Sequence, residues 1–297
     1  MMEFVYKGKN YSWEEWNKEH LLFVDELELP NDLMIDLNMR EFSLTHDIGY
    51  GIAIDKFREL YSLIASARLS LINAFQKFYD SNIINWNSGG YRAQLWMRYN
   101  HLKNSIIWYN SCEDYTYQIL WFAFEMNPYH INSKQSYLRN LKKCNFDRID
   151  KLLSEIEESN SYAKDLRKNI RDYRYDPDVE ELREELANNL KHRANIQANG
   201  LEDLRMMGYV IKSRDGSEAF NSQWLQPKLI DLDVTIELLK RVHLKLIKHC
   251  RYIMDFMSFD ELFEVDSEGN AILNNIRSKS DYKKFNFSDK VKQMPTT

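Results

Sequence analysis

Glycine and proline are scarce in this sequence of 297 residues, which contains nine glycines and five prolines. Typical usage of about 7% glycine and about 5% proline would give more than twice as many of each. β-Sandwiches and doubly wound α/β folds need many turns, and turns depend on these two residues. The shortage therefore argues against both folds and favours long helices.

Clustered cysteines, long apolar runs and a strong charge of one sign are also missing. The three cysteines, Cys112, Cys144 and Cys250, form no C-x-x-C pair, so neither a zinc site nor a redox dithiol is predicted. No uncharged run approaches the ~20 residues of a membrane span, and residues 1–20 lack the apolar core of a signal peptide. The formal net charge of −5 is unlike that of a typical duplex-DNA binder. We therefore expect a cytoplasmic protein with no membrane partner, no metal and no cofactor.

Helical periodicity is what the sequence has in abundance. Between Ile52 and Asp80 apolar residues recur every three or four positions without glycine or proline, which predicts a helix of about eight turns. Further helices are predicted near 91–126, 133–143, 146–158, 161–174, 177–199 and 229–258, and short hairpins near 3–11, 208–220 and 262–273. The predicted fold class is all-α, a bundle of long helices with one or two small peripheral β-hairpins.

Three segments are expected along the chain. Residues 1–47 are predicted to form an N-terminal extension with a hairpin and a short helix, which begins at the capping box of Ser12 and Glu15. Residues 48–260 are predicted to form the helical domain, with the hairpin near 208–220 as an insertion. Residues 261–297 are predicted to form a small hairpin and a flexible tail.

A polar stripe lies within the most aromatic of the predicted helices. Asn110, Asp114 and Gln118 recur every four residues and therefore share one helix face. Buried polar groups need hydrogen-bond partners. The stripe is thus either a structural network or exposed strip, or a set of groups that orients a catalytic or binding side chain on another helix.

The end of a later helix carries the residues best suited to catalysis. Asn188 and His192 share a helix face, and Arg193 follows. Histidine can move protons near neutral pH, arginine can hold a phosphate with two hydrogen bonds, and asparagine can orient either group. This set suits phosphodiester chemistry without a metal. The structural alternative is an ordinary polar helix end, where cations complement the helix dipole.

A basic strip is predicted on the last long helix, where Arg241, Lys245 and Lys248 can lie on one face. Such a strip could bind phosphate groups. The alternative is a solvated face that pairs with the acidic residues of 176–186.

The order of these elements resembles the HEPN superfamily, the higher eukaryote and prokaryote nucleotide-binding helical domains. The resemblance covers about residues 48–200 and rests on Trp108-Tyr109-Asn110, on the stretch from Asp114 to Gln118, and on Asn188-Asn189-Leu190-Lys191-His192-Arg193. HEPN domains are helical bundles that often dimerise. Many are metal-independent ribonucleases in toxin–antitoxin, phage-defence and RNA-guided systems, and others are inactive binding or dimerisation modules.

The sequence departs from the family's catalytic signature, an arginine separated from a histidine by four to six residues. The three positions that would hold this arginine before His192 are Glu185, Leu186 and Ala187. The resemblance therefore implies one of two states. Either the domain is inactive, or His192 acts as general acid or base and Asn188 orients the site, while Arg193, or an arginine from elsewhere or from a second chain, stabilises charge on the phosphate.

Three functions follow as expectations. The first is a HEPN-like protein of a bacterial or phage conflict system that serves as a binding or dimerisation module for a protein or RNA partner. The second is a metal-independent ribonuclease acting as a toxin or phage-defence effector. The third is a self-assembling phage or mobile-element factor that engages a host defence complex. Because long amphipathic helices rich in aromatic residues often leave an apolar face for a second copy, we also expect a homodimer.

Overall fold

The computed structural model describes residues 4–33, 47–77, 91–192, 196–201, 210–221, 226–257, 263–265, 267–268, 271–273 and 282–287. Helices dominate these ranges, which confirms the predicted all-α class. They are α1 (Trp13–Glu26), α2 (Ile48–Phe75), α3 (Tyr91–Ala123), α4 (Lys134–Leu141), α5 (Phe146–Ser154), α6 (Ser161–Arg174), α7 (Pro177–Glu180), a π-helical segment (Glu181–Ala187), α8 (Asn188–His192) and α9 (Leu232–Met257). A single 3₁₀ turn covers Asn31–Leu33.

Short strands form the small hairpins that the sequence predicts. The antiparallel pairs are β1 (Phe4–Tyr6) with β2 (Lys9–Tyr11), β4 (Val210–Lys212) with β5 (Glu218–Asn221), and β7 (Phe263–Val265) with β8 (Ala271–Leu273). A further pair, β3 (Ile196–Ala198) with β6 (Lys228–Ile230), is parallel. The sequence does not predict this last pair.

Side-chain caps begin several helices where the sequence places them. Ser12 Oγ accepts a hydrogen bond from the backbone N–H of Glu15, and Glu15 Oε2 accepts one from the backbone N–H of Ser12. Ser133 and Asn145 cap α4 and α5 in the same way through the backbone N–H groups three residues on. Each cap satisfies an N–H group that has no partner within its helix.

The predicted helix over 177–199 is wrong at its C-terminal end. Its described helical part ends at His192, and Ile196–Ala198 is strand β3. Ile196 and Ala198 are buried while Gln197 is half-buried, an alternation that suits a strand. Gly200 then turns the chain with a φ of +87°, a conformation that glycine adopts without strain.

Contacts divide the chain into two units, each built from three separated stretches. The first comprises Met1–Leu29, Ile64–Asn110 and Asp176–Leu244, and the second comprises Pro30–Leu63, Ser111–Tyr175 and Lys245–Thr297. Helices α2, α3 and α9 each supply residues to both units. The boundaries expected near residues 47 and 260 stay a prediction.

Phe75 lies at the centre of an aromatic cluster in the first unit. Its ring stacks on Phe23 at 4.0 Å between centroids, and Trp16 and Tyr6 approach it at 4.9 and 5.3 Å. All four side chains are buried. Because Tyr6 precedes the β1–β2 turn and Trp16 and Phe23 lie on α1, the cluster fixes the hairpin and α1 against α2.

Most side chains of residues 282–287 are buried in the second unit. Phe285 packs at 4.4 Å between ring centroids from Phe124, and Phe287 donates its backbone N–H to the carbonyl oxygen of Phe124 at 3.1 Å. Gly49 also approaches this region closely, because a Cβ there would lie 2.4 Å from the carbonyl oxygen of Phe122. The second unit therefore has no room for a side chain at position 49.

Among the helices of the described residues, none is both long enough and apolar enough to cross a membrane.

Candidate functional site

The helix end predicted to carry catalysis is exposed. His192 is the last described residue of α8 and is exposed, and Asn188 is half-buried one turn earlier on the same face. The Nδ2 amide of Asn188 donates to Glu184 Oε2 at 2.9 Å. Arg193 lies outside the described residues. The structure thus places Asn188 and His192 on one helix, with the asparagine amide already bound to a carboxylate.

A π-helical segment, Glu181–Ala187, immediately precedes this helix end. The backbone N–H of Asn188 bonds to the carbonyl oxygen of Arg183, five residues back. Most π-helical turns are single insertions in α-helices and are frequent at functional sites. The sequence gives no glycine or proline signal for it, so sequence reasoning missed it.

The polar stripe on α3 is less buried than the residues beside it. Asp114 is exposed, and Asn110 and Gln118 are half-buried. Beside the stripe, Glu113 and Tyr117 are buried, and the Tyr117 hydroxyl donates to Glu113 Oε1. The orienting role predicted for the stripe stays a prediction.

Arg174 of α6 joins Glu113 and Tyr117 of α3 through a hydrogen bond. Arg174 donates to Glu113 Oε1 at 3.1 Å. Burial, followed by the charge of Glu113, raises the pKa of the Tyr117 hydroxyl well above its usual value. These three groups form a hydrogen-bonded network within the second unit.

The predicted basic strip follows α9. Arg241 is exposed, but its guanidinium forms a two-bond ion pair with Asp178, with Nη2 at 2.8 Å from Oδ1. Lys245 is half-buried and Lys248 is exposed. The pairing of Arg241 with the acidic start of α7 matches the alternative of two charged faces that pair with each other. A phosphate-binding role for the strip stays a prediction.

The first unit contains a groove of about 510 Å³, which we call the Asp233 groove. Its walls are the β1–β2 turn from Val5 to Gly8, the start of α9 from Asp231 to Arg241, and Glu181 of the π-helical segment. Four carboxylates line it, namely Glu181, Asp231, Asp233 and Glu237, together with the cations Lys7 and Arg241. Sequence reasoning did not find this groove.

Asp233 connects the groove to a buried pair of cations. Its carboxylate binds Lys77 Nζ at 2.6 and 2.8 Å and also accepts a hydrogen bond from Arg98. Arg98 Nε in turn donates to the carbonyl oxygen of Ala74 at 2.9 Å. Burial, followed by the charge of Arg98, lowers the pKa of Lys77 to about 8. Burial opposes ionisation of Asp233, but Arg98 and Lys77 outweigh it and hold its pKa below the usual value.

Glu237, one turn further along α9, is paired with the hairpin. The hydroxyl of Tyr6 donates to Glu237 Oε1, and Lys7 Nζ lies 3.1 Å from Oε2. Burial, together with the hydrogen bond to this carboxylate, raises the pKa of Tyr6. The turn between the strands is tight, with positive φ at Lys7 and Gly8. The hairpin wall is therefore held to α9 by a hydrogen bond and an ion pair.

His243 is buried, and both of its ring nitrogens form hydrogen bonds. Because a carbonyl oxygen only accepts, His243 Nε2–H donates to the carbonyl oxygen of Glu28 at 2.8 Å. Its Nδ1 then accepts from the Tyr109 hydroxyl at 2.9 Å. Burial lowers the pKa of His243 to about 4, so the ring is neutral near pH 7.

Histidine 249 is likewise buried, in the second unit. Its Nδ1 lies 2.8 Å from Asn169 Oδ1, and its ring stacks on Tyr173 at 4.3 Å between centroids. Burial lowers the pKa of His249 to about 3. Both buried histidines lack the water access that a proton-shuttling group on a polynucleotide needs.

In the part of the chain that the structure describes, no group of three or more histidine, cysteine, aspartate or glutamate side chains is placed to hold a metal ion. Comparisons of the chain with protein-family models, with curated proteins and with solved structures gave no match. The HEPN resemblance therefore rests on the residues given above.

Proposed function

We propose that this chain is a HEPN-like helical binding module of a bacterial or phage conflict system and that its partner is a protein. The observation that carries the proposal is the Asp233 groove. Its lining has four carboxylates and two cations. A nucleic-acid backbone is recognised mainly by cations that neutralise phosphates, so such a lining repels RNA and favours a partner with cationic groups.

The basic strip supports the same choice. Arg241, the member of the strip nearest the groove, is already paired with Asp178 through two hydrogen bonds. An RNA phosphate would have to displace that carboxylate before it could use the guanidinium. The strip therefore offers less free positive charge than its sequence suggests.

A selection experiment with two pools tests the proposal. The full chain is immobilised and presented in parallel with a displayed random-peptide library and with a random-sequence RNA pool at moderate salt. We expect enrichment of peptides and no RNA retention above that on an unrelated acidic protein. Retention of the RNA pool without enrichment of any peptide would contradict the proposal.

Ribonuclease activity is the second candidate, and the exposure of His192 at a helix end favours it, since a polynucleotide can reach this ring. Proton transfer by a positioned side chain contributes about 10²–10⁴ in rate. If the chain is a ribonuclease, His192→Ala abolishes RNA cleavage in EDTA while the melting temperature stays unchanged, because surface substitutions alter stability by only about 0.5 kcal/mol.

The matched control for that experiment is Lys191→Ala, which removes the exposed neighbouring side chain of the same helix. The binding-module proposal expects no cleavage by the wild type, by His192→Ala or by Lys191→Ala. Cleavage that His192→Ala alone removes would establish the enzyme instead. The homodimer stays a prediction, and light scattering at about tens of micromolar tests it.

A further inference from the structure

We propose that the Asp233 groove binds a peptide segment of the partner protein in which a basic side chain, arginine or lysine, lies next to an aliphatic side chain. This inference rests on the proposed function and names the chemistry of the partner. It is carried by the charge pairing inside the groove and by the apolar side chains at its edge.

The groove and the residues paired with its charges include five carboxylates and four cations, so one negative charge is in excess, and two of the carboxylates have no direct ion pair. Each cation that lines the groove or contacts its carboxylates already has an acidic partner. Lys7 pairs with Glu237, Arg241 pairs with Asp178, and both Lys77 and Arg98 pair with Asp233. Among the described residues, no cation forms a direct ion pair with Glu181 or Asp231; Arg241 attracts Glu181 and Lys77 attracts Asp231 without direct contact. A cation that enters the groove can therefore approach two carboxylates without breaking an existing pair.

Both of these carboxylates are held on regular backbone. Asp231 precedes the first turn of α9, and its Oδ1 accepts the backbone N–H of Val234 at 3.0 Å. That bond fixes the side chain and occupies one of its two oxygens. Glu181 is the first residue of the π-helical segment, on the wall formed by the α7–π–α8 run. The two acids thus present negative charge from two different elements.

Two valines give the groove an apolar edge. Val5 of β1 and Val234 of α9 both line the groove, and they are 62% and 68% exposed. A partner residue that covered them would remove apolar surface from water, which favours association. In a segment with an aliphatic side chain next to a cation, the aliphatic side chain can cover the two valines while the cation approaches Glu181 and Asp231.

The size of the groove limits the occupant. A volume of about 510 Å³ lies within the range of about 300–1,000 Å³ that is typical of small-ligand pockets. It accommodates a few side chains of a peptide and is too small for the surface of a folded domain. The occupant is therefore a short segment rather than a broad interface.

Three short fluorescein-labelled peptides of equal length test the chemistry by fluorescence anisotropy with the full chain. One alternates leucine with arginine, one alternates leucine with glutamate, and one alternates serine with arginine. Two exposed carboxylate–cation pairs together contribute about tenfold in affinity. We expect the leucine–arginine peptide to bind about tenfold more tightly than the leucine–glutamate peptide, and more tightly than the serine–arginine peptide.

Two double variants locate the binding. The double variant Glu181→Gln/Asp231→Asn removes the negative charge of both carboxylates. The asparagine can still cap α9. This variant should weaken the leucine–arginine peptide about tenfold and remove most of the salt dependence of binding. The matched control, Glu158→Gln with Asp172→Asn, removes two exposed carboxylates outside the groove and should bind as the wild type does.

A second pair of substitutions tests the apolar edge. Val5→Thr with Val234→Thr keeps the shape of both side chains and should weaken the leucine–arginine peptide without affecting the serine–arginine peptide. Circular dichroism of each variant confirms that helicity is retained.

Equal binding of the arginine and glutamate peptides, or equal binding by the groove and control variants, would overturn this inference. If peptides selected from the random library are not basic, the chemistry named here is wrong while the protein-binding function stands. If neither the library nor the leucine–arginine peptide binds, both the function and the inference fail.

Discussion

Replacing Asp233 with asparagine is the sharpest test of how the first unit is held together. The substitution keeps the shape of the side chain and removes the only carboxylate, among the described residues, that contacts both Lys77 and Arg98. These two cations are 10% and 8% exposed at their side chains, whereas Asp233 is 28% exposed. The variant therefore leaves two nearly buried positive charges beside each other, with only the more distant carboxylate of Asp231 to offset the charge of Lys77.

The expected loss of stability in Asp233→Asn follows from how deeply the ion pair is buried. Removing one partner of a buried ion pair typically costs about 3–5 kcal/mol. Because Asp233 is partly solvated, screening reduces this cost, and we expect a loss of about 2–3 kcal/mol in the free energy of unfolding near neutral pH.

Lys77 determines how the loss depends on pH. Its pKa is already lowered to about 8, and loss of Asp233 lowers it further, so the folded variant releases this proton at a lower pH than the wild type does. Above about pH 8 the lysine is neutral in both folded proteins. The destabilisation should therefore be larger at about pH 6 than at about pH 9.

Urea unfolding followed by far-UV circular dichroism at both pH values measures the loss. Asp172→Asn, which removes an exposed carboxylate, is the control and should change stability by less than about 0.5 kcal/mol. Adding Lys77→Gln to Asp233→Asn should recover part of the loss, since it removes the surplus cation. A loss below about 0.5 kcal/mol at the lower pH, or one that grows with pH, would refute the reasoning.

Two further predictions concern other buried ionisable groups. The side chain of Lys283 is fully buried between Asp47 at 2.6 Å and Glu125 at 3.0 Å. Replacing it with methionine removes the cation shared by these two carboxylates, and urea unfolding should show a loss of about 3 kcal/mol near neutral pH. His243 has a native pKa of about 4 against about 6.5 in the unfolded chain, so the unfolded state binds more protons between these values. Stability should fall as pH drops through this window, by up to roughly 3 kcal/mol, and His243→Gln should flatten the profile; an unchanged profile would exclude this assignment.

The helices were predictable because their signals are local. The seam of α9, formed by Leu239, Val242, Leu246, Cys250, Ile253 and Met257, is fully buried, as its three-to-four-residue spacing predicts. Caps such as Ser12 and Asn145 act on backbone groups only three residues away. Such interactions depend on neighbouring residues alone, so the sequence contains them in full.

The parallel pair of β3 and β6 and the π-helical segment were not predictable in this way. Each of the two strands has three residues, too few for an alternation to be distinguished from a helix end. Their pairing joins Ile196 to Lys228 across the intervening chain, and no local pattern encodes that partner. The π-helical segment has an ordinary helix-forming composition, so its extra residue per turn depends on packing.

At the candidate site, the sequence likewise could not predict which polar residues of α3 are buried. The sequence correctly indicates polar groups within an aromatic helix, but next to the predicted stripe it is Glu113 and Tyr117 that are buried, while Asp114 is exposed. Neighbouring residues on a helix point about 100° apart. Spacing identifies which residues share a face, whereas the packing of other elements decides which face is buried.

The charges near the start of α9 are the strongest reason to propose a protein partner rather than RNA. Along the sequence, Arg241, Lys245 and Lys248 form a basic strip, and a count of neighbouring charges treats all of them as available. In the structure Asp178, 63 residues away, neutralises Arg241, and in the groove at the start of the same helix Glu181 and Asp231 have no direct ion pair among the described residues. The charge that a ligand meets is what remains after such pairs form, and at this end of α9 the remainder is negative. A cationic segment, rather than a phosphate backbone, is the ligand that this remainder attracts.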